Sequence, residues 1–545
     1  MLRTLDDPFY YLNNFQQVLL WIEARYDDLL NAEERLFIST FPTLPQAARA
    51  LLVRMVMRKG TLFRAGKLVY PEIGPAPEAV QPLVDLGWVD ESPPLDLPQL
   101  FALLTKPEIR AHFAVRPDLR KAEQLQALLS DHPHARAFED WCPGSDDRVY
   151  ALTIMDLCDR LRLMFFGNLH QDWSEFVLAD LGIYLYEKIE LDAGSRGFRE
   201  RRDLDDCLHL HRCRERFERG EALAEVLADI PREACPNPWI EQRRAKLLFL
   251  IAQHCERLGE FDAALALYAE CAYPGARGRR IRVLERSERF AEALALARQV
   301  EQAPESEAER QHLQRILPRL QRQLGLPKAP RATRPAVERL DLSLPRPEAL
   351  SVEGAVLLHL HHSDGPVHYV ENTLINALFG LLCWEAIFVA LPGAFFHPFH
   401  IGPADLHAPD FRQRRAALFD ACLAQLGSDA YKDTIRRHYR AKQGILSPFV
   451  HWGALDDALL ELALHCLPAT HLRHWFERIL QDIKANRAGL PDLIQFWPAQ
   501  RRYRMIEVKG PGDRLQDNQL RWLDFCARHD MPVAVCYVQW ADAVN

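Results

Sequence analysis

The segments Gly489-Leu490-Pro491-Asp492 and Glu507-Val508-Lys509-Gly510 decide the fold of the C-terminal part of this chain. The proline of the first segment has no amide hydrogen to give to a sheet, so it suits the entry of a strand. Glu507 and Lys509 lie two residues apart in the next predicted strand and therefore on one of its faces. The 15 residues from Asp492 to Glu507 leave room for a hairpin. Both side chains are thus expected to point towards Asp492.

Two carboxylates and one ammonium group on a sheet surface are costly to bury without partners. A hard divalent cation, Mg²⁺ or Mn²⁺, removes that cost because it prefers oxygen ligands. Such an ion lowers the pKa of a bound water and polarises a phosphodiester, and Lys509 could position the water or neutralise charge on the phosphate. The pattern therefore predicts a metal-dependent phosphodiesterase. The structural alternative is a salt bridge between Glu507 and Lys509.

The surrounding pattern predicts an α/β sheet at the C-terminus. Strands are expected at 492–497, 503–509 and 533–538, with a helix at 518–528. Helical spacing predicts two further helices at 352–360 and 373–391, the second within an apolar stretch that Glu385 and Pro392 interrupt. That stretch is too broken for a membrane span and indicates a buried helix.

The rest of the chain is expected to be mainly helical and divided into several domains. Two copies of a related motif, at 256–261 and 285–290, lie 29 residues apart and indicate stacked helix pairs. Five prolines between 327 and 347 indicate a linker. The predicted domains are an N-terminal helical, winged-helix-like domain (1–93), a compact basic two-helix unit (94–135), a helical repeat region (136–326), the linker (327–347) and the α/β domain (348–545).

Composition places the chain among ordinary globular proteins. It has 545 residues, 48% of them hydrophobic, and a net charge of −8, which excludes a wholly basic nucleic-acid-binding protein but allows a local basic groove. No secretory signal is evident at the start. Twelve scattered cysteines without a C-x-x-C pair indicate reduced thiols in a cytosolic protein and argue against a disulfide or zinc framework.

The segments GLPDL and EVKGPGDRL, followed by Gln519 and Trp522, resemble the VRR-NUC branch of the PD-(D/E)xK nucleases. The N-terminal segment YYLNNF, the basic two-helix unit, the helical repeats and this terminal domain also occur in the order found in the Fanconi-associated nuclease family. The resemblance covers essentially the whole chain. It implies that the two-helix unit is a SAP-type DNA-binding domain and that the repeats are similar to tetratricopeptide repeats.

The resemblance also implies residue roles. It makes Asp492, Glu507 and Lys509 catalytic, with Gln519 as supporting motif, and gives the backbone carbonyl of Val508 as a further metal ligand. The family places another acidic ligand on a helix ahead of the sheet. Here that pattern is Glu371-Asn372-Thr373 before Leu378-Phe379-Gly380-Leu381-Leu382, so Glu371 is the expected third ligand. Its alternative role is a carboxylate favoured by a helix N-terminus.

The function implied by the resemblance is a metal-dependent, structure-specific DNA nuclease. It would cleave branched DNA with 5′ flaps, trim strands from 5′ to 3′ and act in interstrand cross-link repair. A Holliday-junction resolvase and a catalytically inert DNA-binding scaffold remain alternatives. No ubiquitin-binding zinc finger precedes the first domain, which indicates a bacterial member acting in the cytoplasm at the nucleoid; a eukaryotic member would be nuclear.

Basic side chains in three places are expected to contact DNA phosphates. The two-helix unit contributes Arg116, Arg120 and Lys121. A nuclease that trims a 5′ end needs an anchor for the terminal phosphate, and Arg277, Arg279 and Arg280, at a turn into a helix, are the best candidates. Lys484 and Arg487, beside the catalytic strand, are the alternative. Each group could instead be a solvated basic surface.

Overall fold

The computed structural model describes residues 7–171, 173, 184–327, 335–346 and 348–541. The chain divides into two compact units. One comprises Met1–Tyr184 with Leu191–Leu208, and the other comprises Leu185–Glu190 with His209–Asn545. Helices dominate both units, as the sequence predicted, and each unit contains one sheet among the described residues.

The first unit opens with the helix Tyr10–Tyr26, which buries Phe15, Val18, Leu19 and Ile22 on one face. These four residues follow the spacing of an amphipathic helix, which explains why this segment is helical. The other α-helices among its described residues, outside the two-helix region, are Ala32–Thr40, Gln46–Val56, Ala76–Asp85, Phe138–Trp141 and Met155–Phe166, and the helix Arg201–Glu218 begins in this unit.

A three-stranded antiparallel sheet joins distant parts of the first unit. The strands are β1 (Leu62–Arg64), β2 (Val89–Asp90) and β3 (Val149–Leu152), in the order β1-β3-β2. β3 lies beyond the two-helix unit in the sequence, so the structure differs from the predicted boundary at residue 136. The reason is long-range pairing: β3 alone bonds to both other strands, and no local pattern discloses such partners.

The basic unit that was predicted to contain two helices contains three. They are Leu97–Leu103, Lys106–His112 and Lys121–Leu128. The additional helix begins inside the predicted junction, where Thr105 and Glu108 form a capping box. This is a Ser/Thr-x-x-Glu signal of a helix start, and it accounts for the difference.

The second unit contains a series of helices in which each packs against the next. The two motif copies precede Phe261–Glu270 and Phe290–Gln302, whose first residues are also 29 positions apart. The remaining helices of this series are Pro238–Leu258, Ala276–Arg286 and Glu307–Gln323, and the short helix Leu223–Asp229 precedes them in the chain. The interpretation of the series as tetratricopeptide-like stays a prediction.

The five-stranded sheet of the second unit carries the predicted chemical segments. Its strands are β4 (Glu338–Pro345), β5 (Val367–Tyr369), β6 (Leu493–Trp497), β7 (Arg502–Lys509) and β8 (Val533–Ala541). Their order is β4-β8-β7-β6-β5, with β7–β8 and β4–β8 parallel and the other pairs antiparallel. The crossover between parallel β7 and β8 is the helix Asp517–Arg528.

The predicted linker is partly wrong, because residues Glu338–Pro345 form the edge strand β4. Apolar and polar residues alternate in this segment, with Leu340, Leu342 and Leu344 at every second position. That alternation is typical of a strand, but the prolines of the segment led to the prediction of a linker. Residues 328–334 and 347 of the linker lie outside the described part.

The single helix predicted at 373–391 is two helices, Leu374–Leu382 and Trp384–Ile387, which meet at Cys383. Residues 374–388 are buried as expected, except for Glu385, which is exposed. The other helices of this part are Val352–Leu360, Phe411–Arg414, Ala416–Ala424, Ala430–Ala441, Asp457–Cys466, Ala469–Gln481 and Ile483–Asn486. None of the helices described here is long and apolar enough to cross a membrane.

Candidate active site

Asp492 lies directly before β6, where two other segments hold it. The amide of Val370, just after β5, donates to the Asp492 carbonyl at 2.8 Å. The amide of Val508 in β7 donates to Asp492 Oδ2, also at 2.8 Å. β6 is antiparallel to β7, and their register continued by one residue puts Asp492 opposite Glu507. The carboxylate predicted at a strand entry is therefore fixed beside the second carboxylate.

Glu507 and Lys509 are buried next to one another on β7. Only 1% of Glu507 and 8% of Lys509 is exposed. Lys509 Nζ lies 2.8 Å from Glu507 Oε1, so the ion pair offered as the structural alternative is present. No donor in the described part of the chain meets that oxygen with hydrogen-bond alignment. A buried carboxylate oxygen without an aligned hydrogen-bond donor is suited to binding a cation.

The turn that leads into Asp492 depends on a glycine. Gly489 has a φ of +87°, and a Cβ at this position would lie 2.8 to 2.9 Å from Asn518, backbone included. A side chain would therefore be strained and would collide with the start of the helix Asp517–Arg528. Trp522 of that helix is buried and donates from Nε1 to the carbonyl of Ala488 at 3.2 Å. This hydrogen bond holds the helix against the turn.

Gln519 has a structural position within the same arrangement. The amide of Gln516 donates to Gln519 Oε1 at 2.8 Å, and the two residues form a capping box at the start of the helix Asp517–Arg528. Gln519 therefore stabilises the helix that packs on Gly489. This gives the Gln519 and Trp522 signature a physical reason: both residues fix the turn before Asp492.

Glu371 lies in an exposed turn after β5 and not on a helix, since the next helix begins at Leu374. Tyr369 donates its hydroxyl hydrogen to Glu371 Oε2, and Asn372 Nδ2 donates to Oε1 at 3.1 Å. The expected placement on a helix is therefore wrong. The cause is Asn372, whose left-handed φ of 51° keeps the chain in a turn for these residues.

Asn372 is a site residue that the sequence analysis did not single out. Its Oδ1 accepts a hydrogen bond from the amide of Leu490 at 3.1 Å. The turn that carries Glu371 is thereby tied to the segment that carries Asp492. Tyr369 was also missed, although it contacts Glu371 directly. A left-handed asparagine after a strand is the signal that could have indicated this turn.

The electrostatics of the site favour binding of positive charge. Burial raises the pKa of Asp492 to about 6, and the charges of Glu371 and Glu353 add to the rise while the Val508 amide opposes it. Burial and the charge of Asp492 raise the pKa of Glu507 to about 7 against the effect of Lys509. Two neighbouring carboxylates that resist ionisation together are stabilised when a cation joins them.

The donor set fits a hard divalent cation. The carboxylates of Asp492 and Glu507 supply oxygens, the Val508 carbonyl is one residue further along the strand, and only one Asp492 oxygen accepts the Val508 amide. Glu371 is close enough for its charge to act on both carboxylates, but its own oxygens are bonded to Tyr369 and Asn372. Among the described residues, no three acidic, histidine or cysteine side chains form a finished metal cluster.

Stability of the metal-free protein should fall as the pH rises from about 4 to 7. The folded pKa values of Asp492 and Glu507 lie above their ordinary values, so the fold binds protons that the unfolded chain releases in this range. For each carboxyl group, a pKa that is higher by two in the folded than in the unfolded state corresponds to about 3 kcal/mol of unfolding free energy. The measurement is the unfolding temperature as a function of pH, in chelator and in Mn²⁺. The bound Mn²⁺ should replace the protons and remove the loss of stability at higher pH.

The comparison for this pH effect is Glu507→Gln, which keeps the shape but cannot ionise. Its unfolding temperature in chelator should fall less steeply over the same range than that of the wild type. Asp262→Asn, at a side chain that is 98% exposed, should follow the wild type. Equal slopes for wild type and Glu507→Gln would contradict the assignment of the pH effect to this pair.

The backbone of Arg487 is bonded to the helix that follows Glu371, and Lys484 lies three residues earlier in the chain. The carbonyl of Arg487 accepts a hydrogen bond from Asn376 Nδ2 at 2.8 Å, and Asn376 belongs to the helix that follows Glu371. Lys484 is exposed. Burial lowers the pKa of His407, and the positive charges of Arg487 and Lys484 lower it further. Both basic side chains therefore lie near His407.

The three arginines of the predicted phosphate anchor have different surroundings. Arg277 is engaged with acidic side chains, since it donates to both oxygens of Glu309 and pairs with Glu305. Arg279 makes one contact of 3.4 Å to Glu256. Arg280 is half-buried. The acidic partners lie 23 to 32 residues away in the chain, which is why the sequence pattern did not disclose them.

The basic side chains of the two-helix unit are also partly engaged. Arg116 pairs with Asp118 at 2.7 Å, although both side chains are largely exposed. Lys121 Nζ donates to the carbonyl of Leu104 at 2.7 Å. Burial and then the charge of Lys67 lower the pKa of Lys121. Lys67 is therefore a further basic residue at this surface, and it comes from the preceding domain.

Three domain families match the chain. Residues 9–90 match the FAN1, HTH domain, residues 94–141 match the Fanconi anemia-associated nuclease SAP domain, and residues 427–540 match the VRR-NUC domain. Together they cover the N-terminal domains and the part of the sheet that holds Asp492, Glu507 and Lys509.

Relatives and solved structures agree with these matches. The chain is 63% identical to the Fanconi-associated nuclease 1 homolog of Pseudomonas aeruginosa over 98% of this chain and 97% of that protein. It is 23% identical to the homolog of Arabidopsis thaliana over 98% of this chain and 67% of that protein. A crystal structure of paFAN1 bound to 2-nucleotide 5′-flap DNA with a gap is 63% identical, with a TM-score of 0.92 over 99% of this chain and 100% of that one.

The prediction of the family from GLPDL and EVKGPGDRL is confirmed, as is the multidomain, mainly helical fold with a C-terminal α/β nuclease domain. Divalent-metal dependence follows from membership of the VRR-NUC family. By the extent of the match with the bacterial relative, this chain belongs to the Fanconi-associated nuclease 1 family and is a DNA-cleaving hydrolase.

Proposed function

We propose that this chain cleaves branched DNA that carries a 5′ flap and trims strands from 5′ to 3′, as part of interstrand cross-link repair. The observation that carries the proposal is the buried group of Asp492, Glu507 and Lys509 at the meeting of β6 and β7. The related paFAN1 structures bound to 5′-flap DNA support the choice of substrate. Action at the bacterial nucleoid is part of the same proposal.

The residues of the site divide the chemistry of hydrolysis between them. Asp492, Glu507 and the Val508 carbonyl would hold Mg²⁺ or Mn²⁺, with Glu371 joining after it releases Tyr369 or Asn372. The bound ion supplies an activated water and a positive charge next to the phosphodiester. Lys509, held at 2.8 Å from Glu507, would orient the water or neutralise the charge that grows on the phosphate.

A cleavage assay on matched DNAs tests this proposal. The substrates are a 5′ flap, a Holliday junction and a single strand of the same sequence, each with Mg²⁺, Mn²⁺ or chelator. We expect metal-dependent cutting of the flap above the other two. Preferred cutting of the junction would instead support a resolvase, and binding without cutting in either metal would support an inert scaffold.

We further propose that the two-helix unit binds the DNA backbone. Neutralising Arg116, Arg120 and Lys121 together should weaken binding to all duplex-containing DNAs. It should also reduce the salt slope by up to about 0.9 for each phosphate that is no longer neutralised, since interactions with phosphate carry little sequence information. The measurement is the dissociation constant over a salt titration.

The matched control for this surface is Asp118→Asn. This change removes the acidic partner of Arg116 and should strengthen binding slightly, because the guanidinium group becomes available to phosphate. An unchanged slope in the triple variant would indicate that the unit is a solvated basic surface.

A 5′-end anchor at Arg277, Arg279 and Arg280, with Lys484 and Arg487 as the alternative location, also remains a proposal. The comparison of flaps that end in a 5′ phosphate with flaps that end in a 5′ hydroxyl tests whether such an anchor exists. An anchor predicts preference for the phosphate and fixed cutting positions.

A further inference from the structure

The turn that carries Glu371 has a backbone that is fixed to the segment before β6. The amide of Leu490 donates to Asn372 Oδ1 at 3.1 Å. The buried Asn376 donates from Nδ2 to the carbonyls of Asn372 and Arg487, at 2.7 and 2.8 Å. These bonds hold the turn at two points of the segment that leads into the catalytic strand. The Glu371 carboxylate therefore changes its position by rotation of its own side chain and not by a shift of the turn.

The carboxylate of Glu371 is not in position to share an ion with the other two carboxylates. It is close enough for its charge to act on Asp492 and Glu507. In the described part of the chain, however, no group of three acidic, histidine or cysteine side chains is arranged to hold a metal ion. Glu371 Oε2 instead accepts the hydroxyl hydrogen of Tyr369, and its Oε1 accepts from Asn372 Nδ2 at 3.1 Å. Rotation towards the ion breaks at least one of these two bonds.

Tyr369 is the partner of Glu371 that can be given up at the smaller cost. The side chain of Asn372 is held at both ends, because its Nδ2 donates to Glu371 while its Oδ1 accepts from Leu490. Movement of Asn372 would therefore loosen the turn. Tyr369 is the last residue of the edge strand β5 and is 52% exposed. Its hydroxyl can exchange Glu371 for water with little loss of packing.

We propose that Tyr369 is a latch, which holds Glu371 aside in the metal-free protein and competes with the divalent ion for its carboxylate. On metal binding, the Glu371 carboxylate exchanges this hydrogen bond for the ion, and the Tyr369 hydroxyl returns to water. A ligand that spends part of its time in a non-binding position lowers the apparent affinity by that fraction. Tyr369 is thus a positioning residue that acts through Glu371. The inference rests on the proposed function in taking Glu371 as a ligand of the metal site.

Calorimetric titration of Mn²⁺ into the full chain, without DNA, measures this competition. Tyr369→Phe keeps the ring and removes the hydroxyl, so it should tighten Mn²⁺ binding about tenfold, since a hydrogen bond to a charged group no longer holds the ligand aside. Glu371→Gln should weaken binding. In that background Tyr369→Phe should change nothing, because the carboxylate that the latch holds is gone. Tyr184→Phe, at an exposed tyrosine outside the nuclease domain, should bind Mn²⁺ as the wild type does.

The latch is overturned if Tyr369→Phe leaves the Mn²⁺ affinity unchanged, or if the gain persists in the Glu371→Gln background. Weaker binding by Tyr369→Phe also overturns it, because the hydroxyl would then orient Glu371 towards the ion. Unfolding temperatures in chelator show whether each variant is folded. Failure of the latch leaves the proposed function intact, since cleavage of a 5′ flap in Mn²⁺ is measured separately. Absence of Mn²⁺ binding in the wild type and every variant would overturn the metal site and the latch together.

Discussion

Asp492→Ala and Glu507→Ala should each reduce DNA cleavage by about a thousandfold or more while the fold and DNA binding persist. The reason is that each change removes a proposed metal ligand and not an apolar side chain of the core. Metal-ion charge stabilisation is worth several kcal/mol, and every 1.4 kcal/mol is about tenfold in rate. The measurement is single-turnover cleavage of a 5′ flap in Mg²⁺ and in saturating Mn²⁺.

Asp492→Asn sharpens this test. The Val508 amide donates to Asp492 Oδ2 in the buried site, so alanine leaves a backbone donor without its acceptor. Asparagine keeps an oxygen for the amide but loses the charge, so it should unfold at a higher temperature than the alanine variant and remain equally inactive. Asp364→Asn, at an exposed turn of the same domain, is the control. Substantial cleavage by Asp492→Ala in saturating Mn²⁺ would refute the role of Asp492.

The catalytic strands could be predicted from the sequence because their signals are local. Strands predicted at 492–497 and 503–509 are Leu493–Trp497 and Arg502–Lys509. The first strand is apolar except for Gln495, the second mixes apolar and charged residues, and Pro491 and Gly510 mark their outer ends. The register that puts Asp492 opposite Glu507 also follows locally, since a hairpin joins the two strands.

Features that depend on distant partners could not be predicted in this way. β3 completes a sheet with strands about 60 and 90 residues earlier, and β4 pairs with β8 almost 200 residues later. The surroundings of Arg279 and Arg282 have the same origin. In the sequence, Arg279 and Arg282 belong to a basic run that is typical of a solvated surface. In the fold, the packing of two helices brings Arg279 and Arg282 to Glu256, which also bonds to Tyr268.

The turn at Glu371 shows how a predicted site residue can be expected on the wrong element. The family pattern singled out Glu371, but a single left-handed residue, Asn372, postpones the helix to Leu374. The side chain of Asn372 then bonds to Leu490, a residue 118 positions away, and this bond brings the turn to the catalytic strand entry. A backbone conformation fixed by a tertiary contact leaves little trace in a local pattern.

Lys509→Met should abolish most cleavage and still allow metal binding, which separates the role of the ammonium group from that of the carboxylates. Methionine keeps the length of the buried side chain, so packing on β7 should change little. The oxygen ligands remain, and calorimetry should detect Mn²⁺ binding in the variant. Loss of a positioned cation that stabilises transition-state charge typically lowers the rate about 10²- to 10³-fold.

The same variant also distinguishes catalysis from a purely structural salt bridge. Without Lys509, the effects that raise the pKa of Glu507 lose their main opposition, so the pKa should rise further and metal binding should move to higher pH. Cleavage should therefore stay low even at a pH where Mn²⁺ saturates the variant. If cleavage recovers fully once the metal site is saturated, Lys509 serves only to keep Glu507 ionised. If the variant binds no metal at any pH at which it remains folded, the ion pair with Glu507 is part of the metal site itself, and the separate catalytic role of Lys509 is wrong.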